Sequence, residues 1–425
     1  MTTATAATSV LPHGRYPQYV LALLVLVYTV NFVDRIMLGV LVPPIKVELG
    51  LSDTQLGLLG GTAFALFYTA LGIPIGWLAD RAHRVWIMTT ALAVWSAFTA
   101  VCGLAQNFLQ LFLARIGVGV GEAGGVAPAY SLISDYFPPA QRARALAIYS
   151  FGIPIGSALG LVIGGTIASA IDWRAAFLIV GAAGLALAPL VKLTVREAPR
   201  GSLDAAGTAQ GAAPLGVVLR LLLRKPSFWG LALAGGSSAM MGYGLLFWLP
   251  SFFMRGYGLT MMQTSLYFGG MTLVGGITGM WLGGWLADRH GTRRRSAYTL
   301  VPAITLLLSA PFHALGALSP AHSWWFLVFV IPAALGSAWV GPTICAVQHL
   351  VPPNMRALAS ALFLFVNNLI GLGLGALVIG AMSDAFAARY GVDSLRQAIF
   401  AGTVFYLLGA TLFALTSRRL ARDWV

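Results

Sequence analysis

Apolar runs of about 20 residues recur from one end of this chain to the other, and nothing else in the sequence limits its fold so tightly. The first reads YVLALLVLVYTVNFVDRIMLGVLV, residues 19–42. A helix rising about 1.5 Å per residue crosses about 30 Å of hydrocarbon with runs of this length. Twelve spans are predicted, at roughly 17–41, 54–79, 85–104, 107–136, 143–169 and 175–193, then 227–253, 260–287, 297–317, 323–349, 357–382 and 396–416. Hydrophobic residues make up 58% of the 425 and charged residues only 9%, where soluble domains carry about 25% charged. The expected fold class is an all-α membrane protein, with the lipid bilayer as its surroundings. The 50 glycines suit close helix packing in lipid.

The longest polar gap is REAPRGSLDAAGTAQGAAP, 196–214, whose composition is that of a linker. VVLRLLLRK, 217–225, is a short basic amphipathic piece expected on the membrane surface. The chain therefore divides into a six-helix bundle at 1–193, a linker with an amphipathic helix at 194–226, and a second six-helix bundle at 227–425. The net charge is +13, and its placement matters more than its size. Arg81, Arg142, Arg224, Arg293, Arg356 and Arg418 exemplify a bias of cations toward the termini and even-numbered loops. The odd-numbered loops hold only Lys46, Arg174, Arg255, Arg389 and Arg396. The positive-inside rule then puts both termini and the linker in the cytoplasm, and an even number of spans is required. Cations so distributed do not form a nucleic-acid patch, and no nucleic-acid partner is expected.

The two bundles repeat each other. GWLADR occurs at 76–81 and again at 284–289, and VAPAYSLISDYFPPAQR, 126–142, aligns with VGPTICAVQHLVPPNMR, 340–356. Repeats in matching positions imply a pseudo-two-fold between the halves. That is transporter architecture, with a substrate site near the midplane where the repeats meet.

G-x-L-A-D-R before a basic loop, in both halves of a twelve-span chain, resembles the major facilitator superfamily over essentially the whole length. The first copy has Ala82 and His83 where that pattern carries a glycine, and the second keeps Gly291. NFVDR in span one, RIGVGVGEAGGVAPAYSLISDYFPPAQRARALAIYSFGIPIGSALG at 115–160 and REAPRG at 196–201 are similar to the Spinster family of lipid transporters. The anion–cation symporter families share a D-R pair in span one and an R…E pair in span four. The resemblance implies a two-bundle fold with spans one, four, seven and ten along a central path. It also implies alternating access, an amphipathic lipid substrate (lysolipid or sphingoid-phosphate-like) and proton coupling or gating. An excess of arginine over lysine is associated with bacterial genomes, so a bacterial inner membrane is the expected location. The chain is expected to act as a monomer.

Four formal charges lie well inside the spans: Asp34, Arg35, Arg115 and Glu122. Intramembrane ionisable groups usually face an aqueous cavity and pair with one another. Arg115 and Glu122 lie two turns apart on one helix face, and Arg35 and Arg115 lie at similar depth. Asp34 and Arg35 are therefore expected to face a cavity opposite Arg115 and Glu122. Glu122 and Asp34 are the candidate proton sites, and Arg35 and Arg115 the candidate anion binders. An inert ion-pair network joining spans one and four is the competing reading. The second half has Phe329 and Gly336 at the corresponding positions. A cavity charged on one wall and apolar on the other suits an amphiphile. Tyr28, Asn31, Tyr68, Tyr130, Asn367 and Trp248 are the further candidates for substrate contact, each also readable as an interhelical packing residue.

Asp80, Arg81, Asp288 and Arg142 lie at the cytoplasmic ends of spans and are candidate gate residues. Gly152, Gly156, Gly160 and Gly164 in span five, and Gly275, Gly279 and Gly283 in span eight, form stripes four residues apart. In the superfamily these two spans meet across the halves, so the stripes are expected there. Pro154 should kink span five. Cys102 and Cys345 fall in apolar segments and read as packing residues. No cofactor is expected: the histidines lack metal-ligand spacing, and no nucleotide-binding G-x-x-x-x-G-K-[ST] occurs. H-E-x-x-H and G-x-S-x-G are also absent, which argues against an enzyme. A proton-coupled organic-anion symporter and a non-transporting sensor of the same fold remain the alternatives.

Overall fold

The computed structural model describes residues 14–79, 81–200, 203, 214–291, 293–319 and 325–425. The described regular structure is helical. The first half contains α1 (Tyr16–Leu49), α2 (Asp53–Gly57), a π-helical turn (Leu58–Thr62), α3 (Ala63–Ala79), α4 (Arg84–Cys102) and α5 (Phe108–Glu122). It continues through α6 (Val126–Tyr136), α7 (Pro139–Ser150), α8 (Gly152–Ala170) and α9 (Trp173–Thr194). After α10 (Leu215–Leu223), the second half runs through α11 (Pro226–Tyr257), α12 (Met261–Gly291), α13 (Ala297–Leu318), α14 (Trp325–Ser337) and α15 (Val340–Gln348). It ends with α16 (Arg356–Tyr390), α17 (Ser394–Gly402) and α18 (Val404–Asp423). End-to-end pairs such as α5–α6, α7–α8 and α14–α15 are single rods with a break. Counted as rods, and leaving α10 aside, the described helices make six spans in each half.

The breaks and ends follow local chemistry. α1 runs past Pro43 and Pro44 and stops at Gly50, whose φ of 63° supplies a left-handed cap. α11 ends the same way at Gly258, with φ 66°. Ser52 and Gln55 form a reciprocal capping box at the start of α2. Asn107 and Asp172 cap α5 and α9 by accepting from Gln110 N and Ala175 N. The rod of span five is interrupted at Phe151, just ahead of Pro154. Pro154 has no N–H to donate to the carbonyl of Ser150, four residues earlier.

The glycine stripes face other partners than the sequence suggests. A Cβ on Gly156 would sit 2.5 Å from Thr29 O, and one on Gly160 2.7 Å from Val33 O. The α8 stripe therefore seats α1, within its own half. A Cβ on Gly279 would meet Ala334 O at 2.0 Å, and one on Gly283 Ala338 O at 1.9 Å. The α12 stripe thus seats α14 and the α14–α15 break, again within its own half. α8 and α12 do meet across the halves, but through Gly165 against Ser265 and Gly269 against Ala158 and Val162. A four-residue repeat marks one helix face; the neighbour on that face is chosen by the whole bundle.

The halves are joined at the end away from the described terminal residues. There Asp384 of α16 accepts from Asp53 N at 3.1 Å, Thr54 N at 2.7 Å and Thr54 Oγ1 at 2.6 Å. Asp53 itself accepts from Lys46 Nζ at 2.5 Å, Ser383 Oγ at 2.7 Å and Arg255 Nη1 at 3.0 Å. Thr62, in the π-helical turn, donates to Gly373 O at 2.7 Å. At the terminal face, the polar ties of Arg84 and of Lys225 each run inside their own half. Buried Arg84 holds Asp135, Glu197 (2.6 Å) and Ala198 O (2.5 Å). Lys225 Nζ donates to Leu350 O at 2.7 Å and to Asp423 O at 2.6 Å.

Candidate functional site

Adjacent residues of an α-helix point about 100° apart, and this separates Asp34 from Arg35. The Arg35 guanidinium turns toward the cleft between the halves and donates to Glu122 Oε2 at 2.6 Å. It lies 4.8 Å from the Phe32 ring centroid, 4.7 Å from that of Phe64 and 4.8 Å from that of Tyr68. Three aromatic faces around one guanidinium stabilise its charge out of water. Tyr243 of α11 comes from the other half to within electrostatic reach of Arg35 and Tyr68. The side chain of Arg35 keeps 8% of its surface accessible, and that of Glu122 keeps none.

Asp34 turns the other way, into the bundle. It accepts from Thr99 Oγ1 of α4 and lies 3.5 Å from Arg115. Both side chains are 1% exposed. The expectation that Asp34 and Arg115 also face the cavity is thus corrected. The four charges form two pairs, one at the cleft and one sealed among α1, α4 and α5. Glu122 Oε1 and Arg35 Nε have no hydrogen-bond partner among the described residues, nor do Asp34 Oδ1 and Arg115 Nε. A buried ion carries a desolvation penalty of several kcal/mol. The pairs offset it in part, and Arg35 Nε and Glu122 Oε1 retain unmet hydrogen-bonding capacity.

The remaining candidates divide similarly. Tyr28 stacks on Tyr149 with centroids 4.4 Å apart and meets Phe32 edge-on at 5.2 Å. Tyr130 meets Tyr149 at 5.5 Å and is 42% exposed. Tyr68 stacks on Phe64 at 5.2 Å. These rings wall one side of the Arg35 site. Asn31 is buried beside a cavity of about 10 Å³ that Tyr28, Trp95 and Tyr149 also line. Asn367 is buried on α16, its Oδ1 without a described partner. Trp248 lies away from the cleft: it is fully buried, and its Nε1 donates to Ala376 O at 2.8 Å, tying α11 to α16. A long indole with one donor finds its partner on the nearest packed backbone. Arg81 is exposed, stacked over Trp77 at 4.2 Å. Asp288 is exposed at the end of α12, and Arg142 Nε donates to Phe137 O at 3.0 Å. Asp80 lies outside the described residues. The linker residues 201–202 and 204–213 do so too.

In the second half the place of the charges is filled by rings. Phe329 is fully buried against Phe253 (5.4 Å) and Phe252 (6.3 Å). Gly336 leaves space that the Tyr406 hydroxyl fills, 2.8 Å from where a Cβ would sit.

A family model described as the Major Facilitator Superfamily matches residues 24–376, most of the chain. The chain belongs to the Major Facilitator Superfamily. Within the superfamily it is Spinster-like. It is 33% identical to a bacterial homologue of the human lysosomal transporter Spinster, solved in an inward-facing and unoccupied conformation. That match has a TM-score of 0.91 and covers 97% of this chain and 99% of the other. The chain is also 35% identical to an MFS-type efflux pump of Mycolicibacterium smegmatis, over 94% of this chain and 92% of the pump. Human protein spinster homolog 1 is 33% identical over 55% of this chain and 45% of its own length. A hexuronate transporter of Bacillus subtilis is 30% identical over 55% of this chain and 56% of its own.

Three participants carried little signal in the sequence. Tyr149 sits inside the Spinster-like block, yet it reads as one more aromatic of an apolar run. Thr99 is a lone hydroxyl in a span, and such residues commonly donate to their own helix backbone; Trp95 O lies 2.9 Å from Thr99 Oγ1 and competes with Asp34 for its single proton. Tyr243 comes near Arg35 from the other half, and no spacing along either helix reveals that neighbour.

Proposed function

We propose that this superfamily member moves an amphipathic anion, a lysolipid or sphingoid-phosphate-like lipid, by alternating access coupled to protons. The observation that carries this reading is the Arg35–Glu122 pair, caged by aromatic rings at the edge of the cleft. An incoming phosphate or carboxylate competes with Glu122 for Arg35. Displaced from Arg35, the buried Glu122 carboxylate is costly unless it takes a proton. Anion binding and proton uptake are therefore favoured together, and substrate affinity rises as pH falls. The aromatic wall of Tyr28, Tyr68, Tyr130 and Tyr149, with Tyr243 opposite, offers apolar area for a chain beside the charged head. On this reading the terminal face is cytoplasmic, as the basic loops suggest. The protein then acts in a bacterial inner membrane, with the end sealed by Asp53 and Asp384 outward.

The second reading, an organic-anion symporter, draws on the hexuronate relative and on the same arginine. The two are separated in liposomes with an imposed pH gradient. Labelled lysolipid should move in the parent and lose its gradient dependence in Glu122→Gln, with the variant still folded. Uptake of a hexuronate, with no competition from lysolipid, would favour the symporter. Gradient-driven transport unchanged in Glu122→Gln would remove Glu122 from the coupling.

A further inference from the structure

A second candidate site lies on the second half, at the terminal face, between the end of α12 and the start of α13. A cavity of about 560 Å³ opens there. Its mouth is lined by His290, Arg293 and Arg294, and its wall by Leu286, Leu300 and Ile304. Arg293 and Arg294 are exposed, and neither has an ion-pair partner among the described residues. The first half treats its cation at the corresponding turn differently: Arg84 is fully buried and consumed by Asp135 and Glu197. The free charges of the second half are thus not needed to hold the turn together.

The wall continues as an apolar strip up α13. Leu300 is 37% exposed, Ile304 55% and Leu307 56%. On the neighbouring helix Trp281 and Trp285 stack at 6.0 Å with both rings exposed, a pair suited to the membrane–water boundary. Cations at the mouth and an aliphatic groove running toward the membrane centre match one molecule with both features. We propose that this groove binds an anionic phospholipid of the adjoining leaflet, with its phosphate on Arg293 and Arg294 and an acyl chain along Leu300 and Ile304. Basic pockets between membrane helices recognise lipid head groups in this way. A free inorganic anion would use the arginines but not the groove. The proposal does not depend on what the central cleft transports.

The test is native mass spectrometry of the detergent-purified full chain, equilibrated with equal amounts of phosphatidylglycerol and phosphatidylcholine of the same acyl chains. The parent should retain phosphatidylglycerol preferentially. Arg293→Ala with Arg294→Ala should reduce that preference about tenfold, roughly what two lost charge-assisted contacts at an exposed site imply. The double lysine variant keeps the charge and should keep most of the preference, which controls for folding. Ile304→Trp fills the groove without altering charge and should also weaken retention. Retention in Ile304→Trp equal to the parent would mean diffuse surface attraction and overturn the site. So would a preference that survives the double alanine variant and disappears in Arg35→Ala, since the lipid would then occupy the central cleft.

Discussion

Arg35 is held by one carboxylate oxygen and three rings, and the ring contacts depend on a flat guanidinium. Lysine keeps the charge but loses the bidentate donors and the stacking plane. Arg35→Lys should therefore weaken binding of an anionic amphiphile by about tenfold, or about 1.4 kcal/mol, while an uncharged analogue of equal chain length binds as before. Equal loss for both ligands would mean that Arg35 supports the wall rather than the head group. Arg115 has a different task. It pairs with Asp34 in the sealed interior, so Arg115→Ala strands a buried carboxylate and should cost about 3–5 kcal/mol of stability. A melting measurement on purified protein checks this, and an unshifted melting temperature would contradict the pairing. The four charges were legible in the sequence because charge inside an apolar run is rare and expensive. Their sorting into a cleft pair and an interior pair was not legible. It depends on Thr99, which α4 brings beside Asp34, and no spacing along α1 reveals that neighbour.

At the level of the helices, close contact against backbone sets the tolerances. α1 lies so near α8 that Gly156 and Gly160 face carbonyl oxygens of α1 at distances no side chain permits. Overpacking in a tight interface costs about 1–3 kcal/mol. Gly156→Val should lower the melting temperature and reduce folded yield, whereas Gly276→Ala should not, because open space surrounds Gly276. Equal melting temperatures for the two variants would show that the α1–α8 contact relaxes freely. The spans, their order and the internal repeat were all readable from hydropathy and recurrence. The direction of the glycine stripes was not, since a four-residue period names a face without naming what it meets. The end of α1 was not legible either: the apolar run closes near residue 41, but the helix continues through Pro43 and Pro44 to the left-handed Gly50.

Across the whole molecule, the two halves hold together at one end through Asp53 and Asp384. Asp53 draws Lys46 from its own half and Arg255 and Ser383 from the other. Asp53→Asn removes the charge that these cations share, and each charge-assisted hydrogen bond is worth about 1.5–3 kcal/mol. The population open at that end should rise at least about tenfold. Spin labels on Val47 and Val392, exposed by 86% and 88% on opposite halves, would report it as a second, longer distance. A distribution identical to the parent would mean that Asp384 and the π-helical turn suffice to keep the end shut. The convergence of several donors on one carboxylate also shapes the process in time. Contacts that share an acceptor are lost together, so the closed end should release in a single step rather than peel open. Dwell times recorded from single molecules should then follow one exponential, and Asp53→Asn should shorten their mean without adding a second phase.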